Sequence, residues 1–518
     1  MPLIYTSMPK SLQGFIQEVS DEVLTVDREI RPDLFEASAV LAYLEKRSEW
    51  PLVHFTNPLG INGVDTAPGK VTLASNVFAD RKRLARALGM PRSQYRMELA
   101  LEMARREREA IAPEIIKAKD APVKEVSQVK EYGEVRIDKL PMMRINEMDP
   151  APYFDMANVM RGPEDQEDDL NEGNPFYNSA FLRTQYKGPD KLGIHMSPRH
   201  NHRIVAESWK NDEPTPVAIV LGHHPAYYLG SLTLAAYGTD EYGVMGAVMD
   251  EPLRLVPSET WGDDFMVPAD AEIVLEGEIP PHELEAEAPF GEYPGYYGPM
   301  RMRPVINVTN ITRRENAVLQ TVFAGYRDHW LAGTLSKEAG MYNALKHYGR
   351  IPYLTACHQP PSGCGRFRAY VSIAKQSEGE GKMAGLAAIA QTDQILKEVV
   401  VVDDDIDVFN EAQVQWAIST RCRFDQDIDI IPGAKNNTLD PTIAPGYDVK
   451  GPKMIIDATQ PLEYAYAARV NVPDDIKAVV EENAAEWINE SDLQSYRALG
   501  GDGELGDFKT SIVKKGGK

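Results

Sequence analysis

Cysteine is nearly absent: Cys357, Cys364 and Cys422 are the three in a chain of 518 residues. An odd count at that density provides no disulfide framework. Cys357 and Cys364, seven apart around a Pro-Pro-Ser-Gly segment, are too isolated for a zinc site. Long apolar runs are missing too. No stretch approaches the ~18 residues of a membrane span, and Met1–Gln13 lacks the apolar core of a secretory signal. Positive charge is in deficit, with 55 Lys and Arg against 78 Asp and Glu and a net charge of −23. Such a surface repels nucleic acid and anionic membrane, so neither is expected as a partner. Reduced cysteines and an acidic surface lead to the expectation of a cytoplasmic protein. What remains is 43% hydrophobic and 26% charged residues, the balance of a soluble globular chain rather than a disordered or fibrous one. The length suggests about three domains at ~150 residues each.

The first part of the chain reads as helices with a strand-and-loop segment between them. Leu34–Arg47, Asp80–Leu88 and Met97–Ile111 carry apolar residues on a helical period, and Pro51–Leu73 is rich in Pro, Gly and Asn. Beyond Lys130, β-rich runs recur between Pro/Gly turns: Phe181–Tyr186, Val217–Leu221, Glu272–Leu275, Pro304–Val308 and Val318–Phe323. The acidic run Arg161–Gly173 reads as a solvated surface loop. A helix is expected over Asp328–Tyr348. An alternation of strand and helix follows: Ala369–Ile373, Gly381–Ala390, Glu398–Val402, Val408–Ile418 and a strand near Asp427–Ile431. One further amphipathic helix, Ile476–Trp487, precedes a Gly-rich, basic end. The expected division is a catalytic domain over 1–325, a linker helix region over 326–335, a second α/β domain over 336–450 and a helical tail over 451–518.

Three groups of residues can carry chemistry. Asn178, His200 and Glu241 are reasonable ligands for a hard or borderline divalent ion, although such residues at such separations are common. His195, His200 and His202 fall within eight residues; in an extended segment His200 and His202 share a face. In Glu285-Ala286-Glu287-Ala288-Pro289-Phe290-Gly291-Glu292-Tyr293 the proline forbids a helix, so only a turn brings Glu287 and Glu292 together. Paired carboxylates beside an arginine such as Arg183 form a proton-handling arrangement. The alternative is an exposed acidic loop, against which stand the apolar Pro-Phe core and Tyr293, Tyr296 and Tyr297. Asp403, Asp404, Asp405 and Asp407 follow a buried valine strand and read as caps for the next helix rather than as a cation site.

Together these segments resemble the UbiD family of reversible, prenylated-FMN-dependent decarboxylases, from about Leu12 to about Arg469. Asn178 to Arg183 resembles its Asn-x-x-x-x-Arg segment, and Pro198-Arg199-His200 its Pro-x-His segment. Glu287-Ala288-Pro289-Phe290-Gly291-Glu292 resembles its Glu-x-Pro-Phe-Gly-Glu loop. Val401 to Val408, with Trp416-Ala417 and Arg421, resembles its C-terminal signature.

The resemblance implies an α/β (α+β) fold. An N-terminal cofactor-binding domain with a split-barrel-like sheet joins a C-terminal oligomerisation domain, and a terminal helix packs on a neighbouring subunit of a dimer or hexamer. It implies that Asn178, His200 and Glu241 hold Mn²⁺ (or Mg²⁺) against the cofactor phosphate, with His202 a rival to His200. K⁺ sits nearby, with Ser231 contributing. Ser179, Ala180, Phe181, Leu182 and Arg199 border the prenylated FMN, which a UbiX-type flavin prenyltransferase supplies. Lys375 or Lys382 reaches the phosphate. Arg183, Glu287 and Glu292 form the catalytic network: Arg183 clamps the substrate carboxylate, preferably by two bonds, and Glu292 protonates the ring as CO₂ leaves. The substrate is an aromatic acid, with hydroxybenzoates favoured over heteroaromatic acids and His329 and Tyr293 as contacts. Arg327, Arg366 and Arg368 are alternatives for a second carboxylate. A flavin-free metal-dependent hydrolase is the competing reading of the same residues.

Overall fold

A six-stranded antiparallel barrel organises the centre of the chain in this computed structural model, which describes residues 10–66, 70–162, 176–391, 395–443 and 449–497. Its strands are β1 (Tyr153–Arg161), β2 (Tyr177–Gly188), β3 (Lys191–Ile194), β4 (Thr215–Leu221), β5 (Ile273–Ile279) and β6 (Arg301–Arg313). They close in the order β5-β4-β1-β2-β3-β6, with β6 returning to β5. Closure leaves no free edge in the ring. The β-rich runs expected from the sequence thus become parts of one barrel, a closed relative of the split-barrel-like sheet. The acidic run Arg161–Gly173 lies outside the described residues from 163 onward.

Ahead of the barrel, the expected helices form over Glu36–Lys46, Arg81–Ala87 and Met97–Arg106. The last stops five residues short of Ile111. Ile111 leaves to donate its N–H to the Gly243 carbonyl, and Pro113 stands two residues on, after Ala112. Val23–Val26, Leu52–Phe55 and Thr72–Ser75 form a small sheet completed by Val318–Gln320, a strand from beyond the barrel. This interleaving gives the first 320 residues a continuous core.

Helix Arg327–Asn343 runs unbroken through the expected linker region into the second domain. There β7 (Leu354–His358), β8 (Arg368–Ile373), β9 (Glu398–Asp403), β10 (Ile428–Lys435) and β11 (Lys450–Ala458) form one sheet ordered β7-β8-β9-β11-β10. β11 begins where the expected limit of 450 falls and lies inside this sheet. The valine run of β9 is buried on both faces: Val399 and Val401 enter one core, Val400 and Val402 the other.

The acidic turn behind β9 differs from the capping expectation. The helix starts at Glu411, three residues later than expected, and the Asn410 side chain caps it. Asp403 and Asp405 instead accept hydrogen bonds from buried Arg421, each at 2.9 Å. The tail is not one helix over Ile476–Trp487: it is Asp474–Glu482, Ala484–Trp487 and Glu490–Arg497, interrupted at Asn483. Among the described residues no helix is long and apolar enough to cross a membrane.

Candidate active site

A cavity of about 380 Å³ opens beside β2 and reaches residues of the second domain, including Lys337, Arg366 and Asn437. All six residues from Asn178 to Arg183 border it, as do Arg199, Ser231, Tyr293 and His329.

At one end three donor groups meet. Asn178 comes from β2, His200 opens helix His200–Lys210, and Glu241 opens helix Glu241–Met249. The Asn178 amide atom that faces His200 Nδ1 at 3.1 Å also lies 3.2 Å from Glu241 Oε1. Because the segment after Ile194 turns into a helix rather than extending, His200 and His202 do not share a face. His202 is exposed. Burial pushes the Glu241 carboxyl well up and the His200 imidazole down, the latter helped by Arg199 and Arg203. Neutral imidazole is the metal-binding form, and a divalent cation would restore the carboxylate. The hydroxyls of Ser179 and Ser231 are buried with no hydrogen-bond partner among the described residues. This donor set fits a divalent ion, and the two hydroxyls fit a polar ligand beside it. Lys375 pairs with Glu378 at 2.7 Å and Lys382 with Asp429 at 3.1 Å. Neither borders the cavity, so the expectation that one reaches a phosphate there is not met; the lysine that does border it is Lys337.

At the other end Arg183 is enclosed by carboxylates. Its Nε and Nη2 donate to the two oxygens of Glu287 at 2.8 and 2.9 Å, and its Nη1 donates to Glu292. The expected acidic loop is therefore buried: Arg183, Glu287 and Glu292 are 4%, 1% and 8% exposed. Tyr296 and Tyr297 face outward, whereas Tyr293 is buried. Glu287 ends a strand paired with β6, opposite Arg301. After Pro289, Phe290 lies under the Arg183 guanidinium at 5.1 Å. Gly291 is needed for close approach, since a Cβ there would sit 2.1 Å from the Asn146 amide. Glu292 is anchored by its own backbone, donating to the Tyr296 carbonyl at 3.0 Å and accepting from Gly295 at 2.9 Å. The carboxylates hold Arg183 more firmly charged than an ordinary guanidinium, against the effect of burial. His195 Nδ1 lies 3.3 Å from Nη2, and burial, then Arg183, drive the imidazole down to about 2. It borders the cavity as part of the wall of this network.

One cavity residue escaped sequence reading. Asp155, on β1, is paired in register with Arg183. Its only signal was a lone charge in the apolar stretch Tyr153-Phe154-Asp155-Met156. Burial, then the Glu292 charge, raise it to about 7. An unfolded aspartate titrates near ~3.9. Between those values the folded chain holds a proton the unfolded chain has released, so stability falls as pH rises through that window. Asp155→Asn removes the effect. Its unfolding free energy is expected to gain on the wild type between pH 4 and 8, by up to about 4 kcal/mol, in denaturant titrations. Arg366, expected as an alternative contact for a second carboxylate, also borders the cavity, its guanidinium 4.9 Å over the Tyr293 ring. Of its expected alternatives, Arg368 pairs with Glu398 at 2.9 Å and Arg327 stacks on Trp50 at 4.1 Å.

Residues 16–103, 114–327 and 329–458 match, in order, the N-terminal, Rift-related and C-terminal domains of 3-octaprenyl-4-hydroxybenzoate carboxy-lyase, the UbiD family. The chain belongs to the UbiD family. As a UbiD protein it is a carboxy-lyase, which removes the hydrolase reading. A phenolic acid decarboxylase of Sedimentibacter hydroxybenzoicus is 30% identical over 468 residues, 88% of this chain and 92% of that one. An anhydromevalonate phosphate decarboxylase of Methanothermobacter thermautotrophicus is 32% identical over 458 residues, 88% and 98% of the two chains. The UbiD-class enzyme HmfF from Pelotomaculum thermopropionicum, solved with FMN, superposes with a TM-score of 0.79 at 32% identity, covering 90% of this chain and 98% of its own. An evolved dimeric form of that enzyme is solved with prenylated FMN.

Proposed function

We propose that this UbiD-family chain catalyses reversible, non-oxidative decarboxylation of an aromatic acid of the hydroxybenzoate type. The observation that carries the reading is one buried arginine shared by two carboxylates at the wall of a cavity of about 380 Å³. Relatives named phenolic acid and gallate decarboxylase support the substrate class. Prenylated FMN, when bound, would supply the electron sink that a ring carbon needs on losing CO₂.

The chain's own residues do the rest. Arg183 offers no free fork, because Glu287 occupies Nε and Nη2 and Glu292 occupies Nη1. The expected two-bond clamp on the substrate is therefore replaced by a switch. When Glu292 takes up a proton its hold on Nη1 weakens, and the substrate carboxylate takes that position. As CO₂ departs, Glu292 gives its proton to the ring carbon and returns, ionised, to Arg183. Glu287 keeps the guanidinium in place throughout.

Asn178, His200 and Glu241 would hold Mn²⁺ or Mg²⁺, which suits a phosphate as a further anionic ligand. Ser231 would serve a nearby K⁺. Arg199 and the Asn178–Leu182 segment would border the flavin. His200→Ala is expected to lower cofactor and manganese content in purified protein at least tenfold more than His202→Ala. Equal loss in both, by elemental analysis and flavin absorbance, would remove His200 from the site.

The proposed division keeps the catalytic domain up to Gly325 and an oligomerisation domain behind it. Exposed Val470, Ile476 and Trp487 on the tail suit a contact with a second copy, in a dimer or hexamer. Free cysteines suit a cytoplasmic setting. The functional test is anaerobic co-expression with a UbiX-type flavin prenyltransferase, followed by CO₂ measurement across benzoic, heteroaromatic and non-aromatic acids. Release from hydroxybenzoates, nearly absent without the prenyltransferase, is expected. Release confined to other acids would overturn the substrate class, and full activity without flavin would overturn the cofactor.

A further inference from the structure

Asp155 has no structural employment. It is 5% exposed and borders the cavity, yet no backbone or side-chain group among the described residues donates a hydrogen bond to it. A buried carboxyl left without donors costs free energy, and β1 would pack as well with an apolar residue. Glu292, Arg183 and Arg366 act on it through charge, and His329 lies beside it, its Nε2 3.9 Å from Oδ2. That separation is too long for a hydrogen bond.

His329 is fixed in a way that makes the gap meaningful. The Gly325 N–H donates to its Nδ1 at 3.2 Å, so Nδ1 is an acceptor. Burial, then Arg366 and Arg183, drive the imidazole down to about 3, so the ring is neutral. Its single proton therefore sits on Nε2. A donor and an acceptor thus face each other across 3.9 Å at the cavity wall. An oxygen about 2.8 Å from each would subtend roughly 90°, close enough to tetrahedral for a hydroxyl to join them. A hydroxyl accepts from Nε2–H and donates to the carboxylate. A carboxylate or ether oxygen can accept from Nε2–H but has nothing to donate to Asp155, and it faces the ionised form, which prevails above about pH 7, with like charge or lone pairs.

We infer that Asp155 and His329 together read one hydroxyl group on the substrate ring, so that Asp155 is a specificity residue selecting phenolic acids over unsubstituted or methoxylated ones. The inference rests on the aromatic-acid reading above and narrows it. Tyr293, 6.2 Å from the His329 ring and edge-on to it, forms an apolar side of the same pocket.

The test compares 4-hydroxybenzoate with benzoate, and 3,4-dihydroxybenzoate with 4-hydroxy-3-methoxybenzoate and 3-hydroxy-4-methoxybenzoate, on holoprotein. Two readouts are used: kcat/KM, and Kd by calorimetry in a Glu292→Gln background that does not turn over. The wild type is expected to prefer, within at least one pair, the acid with the additional hydroxyl. Asp155→Asn, which keeps the shape of the side chain, should cut that preference by about 10–100-fold, the value of a hydrogen bond to a charged group. His329→Phe should cut the same preference, and the double variant should lose little more than either alone. A merely structural role would weaken both members of a pair equally and leave the ratio untouched. An unaltered ratio in both single variants, in an enzyme that still decarboxylates these acids, overturns the inference alone. A wild type that neither binds nor decarboxylates any of them overturns the aromatic-acid reading and this inference with it.

Discussion

Glu292→Gln is expected to lower turnover by about 10²–10⁴-fold, the usual loss on deleting a general acid, while flavin content stays at the wild-type level. The amide keeps the size and polarity of the side chain and still accepts from Arg183 Nη1, the contact seen in the structure. The anchoring bonds are made by the Glu292 backbone, to Tyr296 and from Gly295, and survive the change. What is lost is the proton and the ability to alternate between holding Arg183 and releasing it. Substrate affinity should change less than kcat, because the weakened hold on Nη1 leaves that donor more available to a carboxylate. A parallel fall in cofactor content would instead mean that Glu292 has a structural role.

Arg183→Ala is expected to be more disruptive. It leaves Glu287 buried without the bidentate partner now at 2.8 and 2.9 Å, and strands Glu292 beside it. Breaking one side of a buried pair costs about 3–5 kcal/mol, so the variant should unfold at markedly lower denaturant. Decarboxylation should fall below detection, since the carboxylate loses the guanidinium that Glu287 holds in place. Adding Glu287→Gln should recover part of the stability and none of the activity, because it removes the stranded charge without restoring a cation. Recovery of turnover in the double variant would show that Arg183 acts by offsetting Glu287 rather than by holding substrate. Urea titration alongside CO₂ assays separates the two.

Element types were largely legible because they rest on local pattern. The valine run of β9 reads as a buried strand, and Pro289 forbids a helix between the two glutamates. Closure of the barrel was not legible. It depends on β6 returning to β5 across the interval from Ile279 to Arg301, a pairing no local period encodes. The inner position of β11 was missed for the same reason. Arg421 pairing with Asp403 and Asp405 is invisible in the sequence because it spans a whole helix, whereas the local pattern points to capping. At the cavity, residues in short motifs stand out as candidates in the sequence and Asp155 does not. A single carboxyl in an apolar strand acquires meaning only when register sets it against Arg183 and the fold brings His329 alongside.

Proton delivery by Glu292 is tested most directly by hydrogen exchange on a carboxyl-free product. Holoprotein is incubated with catechol in deuterated water, and ring positions are followed by proton NMR. Deuterium should enter the ring carbon that carries the carboxyl in the acid, at a rate cut by about 10²-fold or more in Glu292→Gln. Arg183→Ala protein that remains folded should keep more of this exchange than of its decarboxylation, since the product has no carboxylate to hold. Exchange at the wild-type rate in Glu292→Gln, from a preparation whose wild type releases CO₂, would contradict the assignment of Glu292 as the proton donor.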